Sequence, residues 1–262
     1  MALPIIAGLK QATWRTLSPS ERLESLNQLE NAIAAQEARS PCDVLVIPES
    51  AYAYPEQREL LQGFHPSNSH EIFINEALIN PDASHAAVYS DGTVVNANDS
   101  YMAVETLLHE DRHAHQEYVA YERPDLAESP LQLQDFQKNN GDGYLSAETF
   151  DPEYYLMQPI ERDARASARQ GMNEIYADQY QTDPSYLKHT QRMENAEGRY
   201  AEMAEDSLGD NYEEVVRQKA FERYEVYQAE NQGESSSLAE QTKIGDGLTP
   251  SLEDDYFYGY GL

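Results

Sequence analysis

Three of the chain's seven histidines stand within LLHEDRHAHQ, residues 107–116. His109, Glu110 and His113 form the pattern HExxH. On a helix, positions i and i+4 lie on one face, one turn apart. Two imidazoles so spaced can both reach a Zn²⁺ ion at about 2.0–2.1 Å. Glu110 follows the first histidine and falls beside the ion, where it can take a proton from bound water. His115 is only two residues from His113 and points to another face, so it is left out of the ligand set. The bland alternative is an exposed, histidine-rich helix. Val104, Leu107 and Leu108 argue against it, because they give the helix an apolar side that a fully exposed helix would not need.

Zinc takes a third protein ligand and keeps one position open for water. The extension HExxHxxGxxH fails here, because Gln116 replaces the glycine and Val119 the last histidine. The other common solution is a glutamate on a later helix. EYYLMQPIERDARASA, residues 153–168, supplies Glu161. Pro159 belongs near a helix start or a kink and would fix the direction of the turn carrying Glu161. Asp163 competes, but its shorter arm and offset suit it better to holding Arg162, Arg165 or a ligand histidine.

Other elements must position these groups. Residues 18–40 read as a helix capped by Ser18 or Ser20, with Leu23, Leu26, Leu29 and Ile33 at helical spacing. Residues 42–50 form a buried strand stopped by Pro48, and EIFIN (71–75) alternates as a second strand. AAVYSDGTVVNA (86–97) is a hairpin candidate turning at Asp91-Gly92. A helix runs from about Ser100 to Tyr121. Residues 122–152 read as a long loop over the surface, with room for a short helix. Helices follow over about 153–180, 184–206 and 211–230, with apolar stripes that read as core. From Gln232 the composition turns Gly/Ser-rich and then acidic, as in a flexible tail. The expected fold is α+β and mostly helical, with a small sheet beside the zinc helix. Residues 1–231 form the domain and 232–262 the tail.

Several segments together resemble the zincin-like metallopeptidase domains of bacterial polymorphic toxins and related effectors. WRTLSPSERLESLNQLENAIAAQEARSPCDV is similar to their opening helix. YMAVETLLHEDRHAHQ is similar to their zinc helix, HExRHAxQ, and YLMQPIERDARASA to their QPxExDA segment. The likeness spans much of residues 14–168. It implies His109, His113 and Glu161 as zinc ligands and Glu110 as catalytic base. Arg112, Gln116 and Asp163 match recurring positions without an assigned role. Asp111 and His115 depart from the pattern, standing where a small residue and an aromatic one are expected. The C-terminal helices and the tail lie outside the resemblance.

KNNGDGYLSAETF (138–150) mimics an EF-hand loop with Gly143 at its sixth position. Lys138 then occupies position 1, which needs Asp, and Thr149 occupies position 12, which needs a bidentate Glu. The segment therefore reads as a Gly-bearing turn, or as a loop bordering the substrate cleft. His65, His70, His85 and His189 have no partner at ligand spacing and read as structural or surface residues. Tyr154 and Tyr155 precede Glu161 by about two turns and read as core, with donation to an oxyanion as the functional alternative. Cys42, the single cysteine, excludes an internal disulfide and reads as a small buried hydrophobe.

Lys+Arg number 18 against Asp+Glu 47, a net charge of −29. Such a surface repels phosphate backbones and anionic membranes, so neither nucleic acid nor membrane is an expected partner. A protein or peptide substrate, basic in character, fits the charge. No signal peptide is evident, so the expected location is the cytoplasm of the producing cell, with signal-free export left open. The chemistry expected is zinc-dependent hydrolysis of a peptide bond. Two rivals stay open: a catalytically silent binding protein of zincin shape, and a zinc hydrolase of a non-peptide amide.

Overall fold

The computed structural model describes residues 6–52, 57–179 and 182–241. In chain order its elements are α1 (Gln11–Trp14), α2 (Pro19–Glu37), β1 (Asp43–Val46), α3 (Gln57–Leu60), β2 (Gly63–Phe64), β3 (Glu71–Ile74) and α4 (Tyr101–Glu117). α5 (Pro130–Asn139), α6 (Pro152–Met157), α7 (Pro159–Ile175), α8 (Pro184–Leu208) and α9 (Tyr212–Gln241) follow. The fold is α+β and 63% helical. Its mixed sheet has the order β1-β3-β2, with β1 parallel and β2 antiparallel to β3. Val44 pairs with Ile72, and Phe64 with Phe73.

Local chemistry sets the boundaries. Ser18 accepts a hydrogen bond from the Glu21 N–H while Glu21 reaches back to the Ser18 N–H, a capping box that starts α2 with Pro19 in its first turn. Pro159 excludes Gln158 from the helical region, and Gln158 sits at φ −63°, ψ 149°. The helix expected over 153–180 is therefore two, α6 and α7, broken just before Glu161. α4 passes into a π-helical turn over Tyr118–Glu122. α9 continues ten residues beyond the expected start of the tail, and residues 242–262 lie outside those described.

α4 is the central helix. Its residues 101–111 are all buried, so it lacks the usual solvent face. It packs most extensively on α7 and also touches α2, β2 and β3. The main core joins Leu26 and Leu29 of α2, Val44 of β1, Ile72 and Ile74 of β3, Val104 and Leu107 of α4, and Ala168 and Met172 of α7. Tyrosine supplies much of the remaining apolar bulk while its hydroxyl stays paired. Tyr101, Tyr176 and Tyr186 pack together in edge-on and tilted contacts, and the Tyr101 hydroxyl lies 2.9 Å from Gln179 Oε1 and 2.8 Å from Asp183 Oδ2. A second cluster, including Leu145, Met157, Tyr200 and Val216, ties α6, α8 and α9 together. Among the described residues no helix is long and apolar enough to cross a membrane.

Two expectations need correction. The hairpin over 86–97 is reduced to a single bridge, Val88 to Val94. Gly92 makes the turn at φ 77°, but the ribbon joins no sheet, and two isolated strands gain too little to extend. The segment 122–152 is not simply a surface loop. It contains α5, and Asn139, Asn140, Gly143, Tyr144 and Leu145 are all buried. Gln158 anchors it by accepting from the Leu145 N–H at 2.9 Å and the Asn139 amide at 2.8 Å.

Gly143 is required by proximity. A Cβ there would stand 2.0 Å from the Lys138 carbonyl oxygen and 2.7 Å from that of Ala220. Gly141 adopts φ 74° but faces open space. Gly143→Ala should therefore destabilise by at least about 3 kcal/mol, the upper end of overpacking costs. Gly141→Ala should cost only about 1 kcal/mol, the backbone penalty. Chemical denaturation of the two variants would check the order, and equal losses would contradict it.

Candidate metal centre

His109 and His113 project from one face of α4, as their spacing requires. Glu161 lies in the first turn of α7, which Pro159 opens. The α4–α7 contact brings the three together. The two Nε2 atoms are 3.2 Å apart, His109 Nε2 is 3.2 Å from Glu161 Oε2, and His113 Nε2 is 3.5 Å from Glu161 Oε1. A tetrahedral ion with bonds of about 2.0–2.1 Å needs ligand atoms about 3.3 Å apart. The three side chains could hold a metal ion, and no other such group of His, Cys, Asp or Glu occurs among the described residues. The donor set, two imidazole nitrogens and one carboxylate oxygen, suits a first-row divalent ion.

The surroundings orient these groups. His113 Nδ1–H donates to Gln116 Oε1 at 2.9 Å, which leaves Nε2 as the free lone pair. The Gln116 amide in turn donates to Asp163 Oδ2 at 2.8 Å and to the Ile160 carbonyl at 2.9 Å. Asp163 also accepts two bonds from Arg112, at 2.7 and 3.1 Å. Asp163 thus reaches His113 only through Gln116, and its cation is Arg112 rather than Arg162 or Arg165. Those arginines pair with Glu213 and Glu197. His109 lacks such support: its Nδ1 is buried with no hydrogen-bond partner among the described residues.

Charge follows burial and proximity. Burial alone would push the Glu161 carboxyl up, but His113, His109 and Arg165 outweigh it and hold it at about 2. The positive end of α7 acts in the same direction. Burial works against a charged His109, yet Glu161 and Glu110 raise it above the ordinary histidine value. Glu110 is pushed up by burial, with opposition from His109, His113 and His65.

These residues line a cavity of about 40 Å³ together with Gly63, Phe64, His65, Ser67, Asn140, Tyr144, Tyr155 and Ile160. That is room for about two or three water-sized groups. The Tyr144 hydroxyl donates to Glu161 Oε1 at 2.8 Å and is hydrogen-bonded to Tyr155. Sequence spacing did not reveal Tyr144, although the loop that carries it was read as a possible cleft border. Nor did it place His65 on the cavity wall. There His65 Nε2 lies 3.3 Å from Glu117 and Nδ1 2.9 Å from the Glu71 carbonyl. Of the EF-hand-like positions, Asp142 accepts from Gln228 and Lys138 pairs with Glu225, so both serve packing on α9. His115 Nδ1 lies 2.9 Å from Glu37, away from the cavity. His189 is buried between Glu105 and the Tyr89 hydroxyl. Tyr154 packs against the second core cluster, and Cys42 is buried, with its thiol pushed up to about 12 by desolvation.

Comparison with family models, curated proteins and solved structures gives no match to this chain.

Removing Glu161 should strip the ion, whereas removing Asp163 should only weaken its hold, because Asp163 acts through Gln116 and His113. Tenfold to 100-fold losses of affinity are typical of such supporting groups. Metal content of Glu161→Ala and Asp163→Ala after the same purification would test this. Retention in the first and loss in the second would reverse the assignment. A pH effect follows from His65. Burial lowers its basicity, but Glu117 and the Glu71 carbonyl win and raise it. The stabilisation is therefore fully present below the ordinary value of about 6.5 and is lost as pH rises through the higher folded value. The stability gap between wild type and His65→Gln should shrink as pH rises above about 6.5. A gap that widens would contradict this.

Proposed function

We propose that the chain is a zinc-dependent metallopeptidase. The observation that carries the reading is the close His109–His113–Glu161 group, with Glu110 lining the same cavity. Zinc, when bound, would supply a Lewis acid and bring the pKa of water toward ~7. His109, His113 and Glu161 would hold it. Glu110 would accept the proton of the attacking water and pass it to the leaving amine.

A peptide substrate is supported by β2. It is an edge strand, and Gly63 and Phe64 form one wall of the cavity, where an extended chain could pair. The net charge of −29 favours a basic substrate. A role as a toxin-like effector rests on the sequence resemblance alone. A second reading, hydrolysis of a small non-peptide amide, draws on the narrowness of the cavity, about 40 Å³.

Wild type purified without added metal should carry about one zinc per chain. Glu110→Gln should keep that zinc and lose turnover by about 10²–10⁴-fold against an unbiased peptide library. Cleavage should concentrate at basic sequences. Zinc-loaded protein that cleaves small amides and no peptide would favour the second reading, and wild type that takes up no zinc would sink both.

A further inference from the structure

The loop between α5 and α6 lines the cavity together with β2, and the buried polar side chains next to Asn140 are engaged. Asn139 donates to the Gly143 carbonyl and to Gln158, and accepts from the Ile160 N–H. Tyr144 is spent on Glu161. Asn140 is the exception. It lines the cavity with His109, Glu110, His113 and Glu161, and it is only 8% exposed. Its amide nitrogen has no hydrogen-bond partner among the described residues. A buried amide left unpaired costs stability, so a group of this kind needs a reason.

Its position is fixed. Asn140 caps the end of α5, and its N–H donates to the Phe136 carbonyl at 3.3 Å. Asn139 on one side and Tyr144 on the other are pinned to α7. The backbone that carries the carboxamide is therefore held in place. It carries one donating and one accepting end, the pattern complementary to a peptide group. Being neutral, it adds no charge to compete with Glu110 or Glu161.

We propose that Asn140 receives a peptide group of the substrate and positions the adjoining bond over Glu110. The assignment rests on the metallopeptidase reading and names the feature of the substrate that the site recognises. It also gives a criterion that a bare metal site lacks. A ligand that only coordinates should ignore Asn140, whereas one that adds a peptide group should depend on it.

The test uses the full chain loaded with Co²⁺, whose visible spectrum reports thiol binding. Two probes are titrated, ethanethiol and mercaptoacetyl-glycinamide. The second adds peptide groups to the same kind of metal-binding thiol. Asn140→Leu should weaken mercaptoacetyl-glycinamide by about tenfold, as expected for a lost neutral hydrogen bond. Ethanethiol affinity and metal content should not change. The unfolding midpoint should stay level or rise, because an apolar side chain of similar size replaces an unpaired amide. Asn140→Ala reads the same comparison if the leucine variant fails to fold. Equal weakening of both probes, no weakening of either, or a lowered midpoint in both variants would overturn the assignment. Wild type that binds no metal would overturn the metal reading and this proposal with it. Normal metal binding with an indifferent Asn140 would overturn this proposal alone.

Discussion

The bidentate ion pair between Arg112 and Asp163 fixes the register of α4 against α7, and the three side chains that could hold a metal ion meet only in that register. A slip of one helical turn would move Glu161 by about 5.4 Å and separate it from both imidazoles. Gln116 couples this latch to the site. Both acceptors of its amide nitrogen, Asp163 and the Ile160 carbonyl, lie on α7, so its oxygen must face His113. The same residue thus joins the helices and selects the histidine tautomer. His109 has no equivalent, and its direction comes from packing inside the buried first half of α4.

A second constraint is the acid gathered around this helix. Arg39, almost fully buried, meets Glu30, Glu37 and Asp111. Burial, reinforced by Glu37 and Glu30, pushes Asp111 up to about 8 despite Arg39. Asp111 and His115 depart from the HExRHAxQ-like pattern, and both side chains reach toward the α2 end, to Arg39 and Glu37. The two departures therefore fall on one contact, between α2 and the back of α4. Neither reaches the cavity.

The sequence was most legible where a period or a stereochemical rule acts locally. Helical spacing placed His109, Glu110 and His113 together, and the position of Pro159 placed Glu161 in a first turn. It was least legible where distance in the chain is bridged by packing. β2 has two residues, too few to show any alternation, and the 86–97 ribbon shows alternation without a sheet to join. Gly143 reads as a turn residue, but its role is to let the backbone approach Lys138 and Ala220. That approach carries Asn140 and Tyr144 into the cavity. His65 arrives there through β2, and nothing in its immediate neighbours signals it.

These differences divide the site into two halves of different origin. The floor is made by α4 and α7, two long helices locked by buried hydrogen bonds, and it carries every candidate ligand and the candidate base. The walls are made by a two-residue edge strand and by a loop bent around glycines, and they carry Phe64, His65, Asn140 and Tyr144. Groups that must hold an ion within tenths of an ångström belong on rigid helices. Groups that select what approaches can sit on loops, which tolerate variation at less cost to the core. Tyr144 links the two halves at Glu161. Its hydroxyl ties the loop to Glu161 Oε1, so a shift of that wall would be felt directly by the candidate ligand carboxylate.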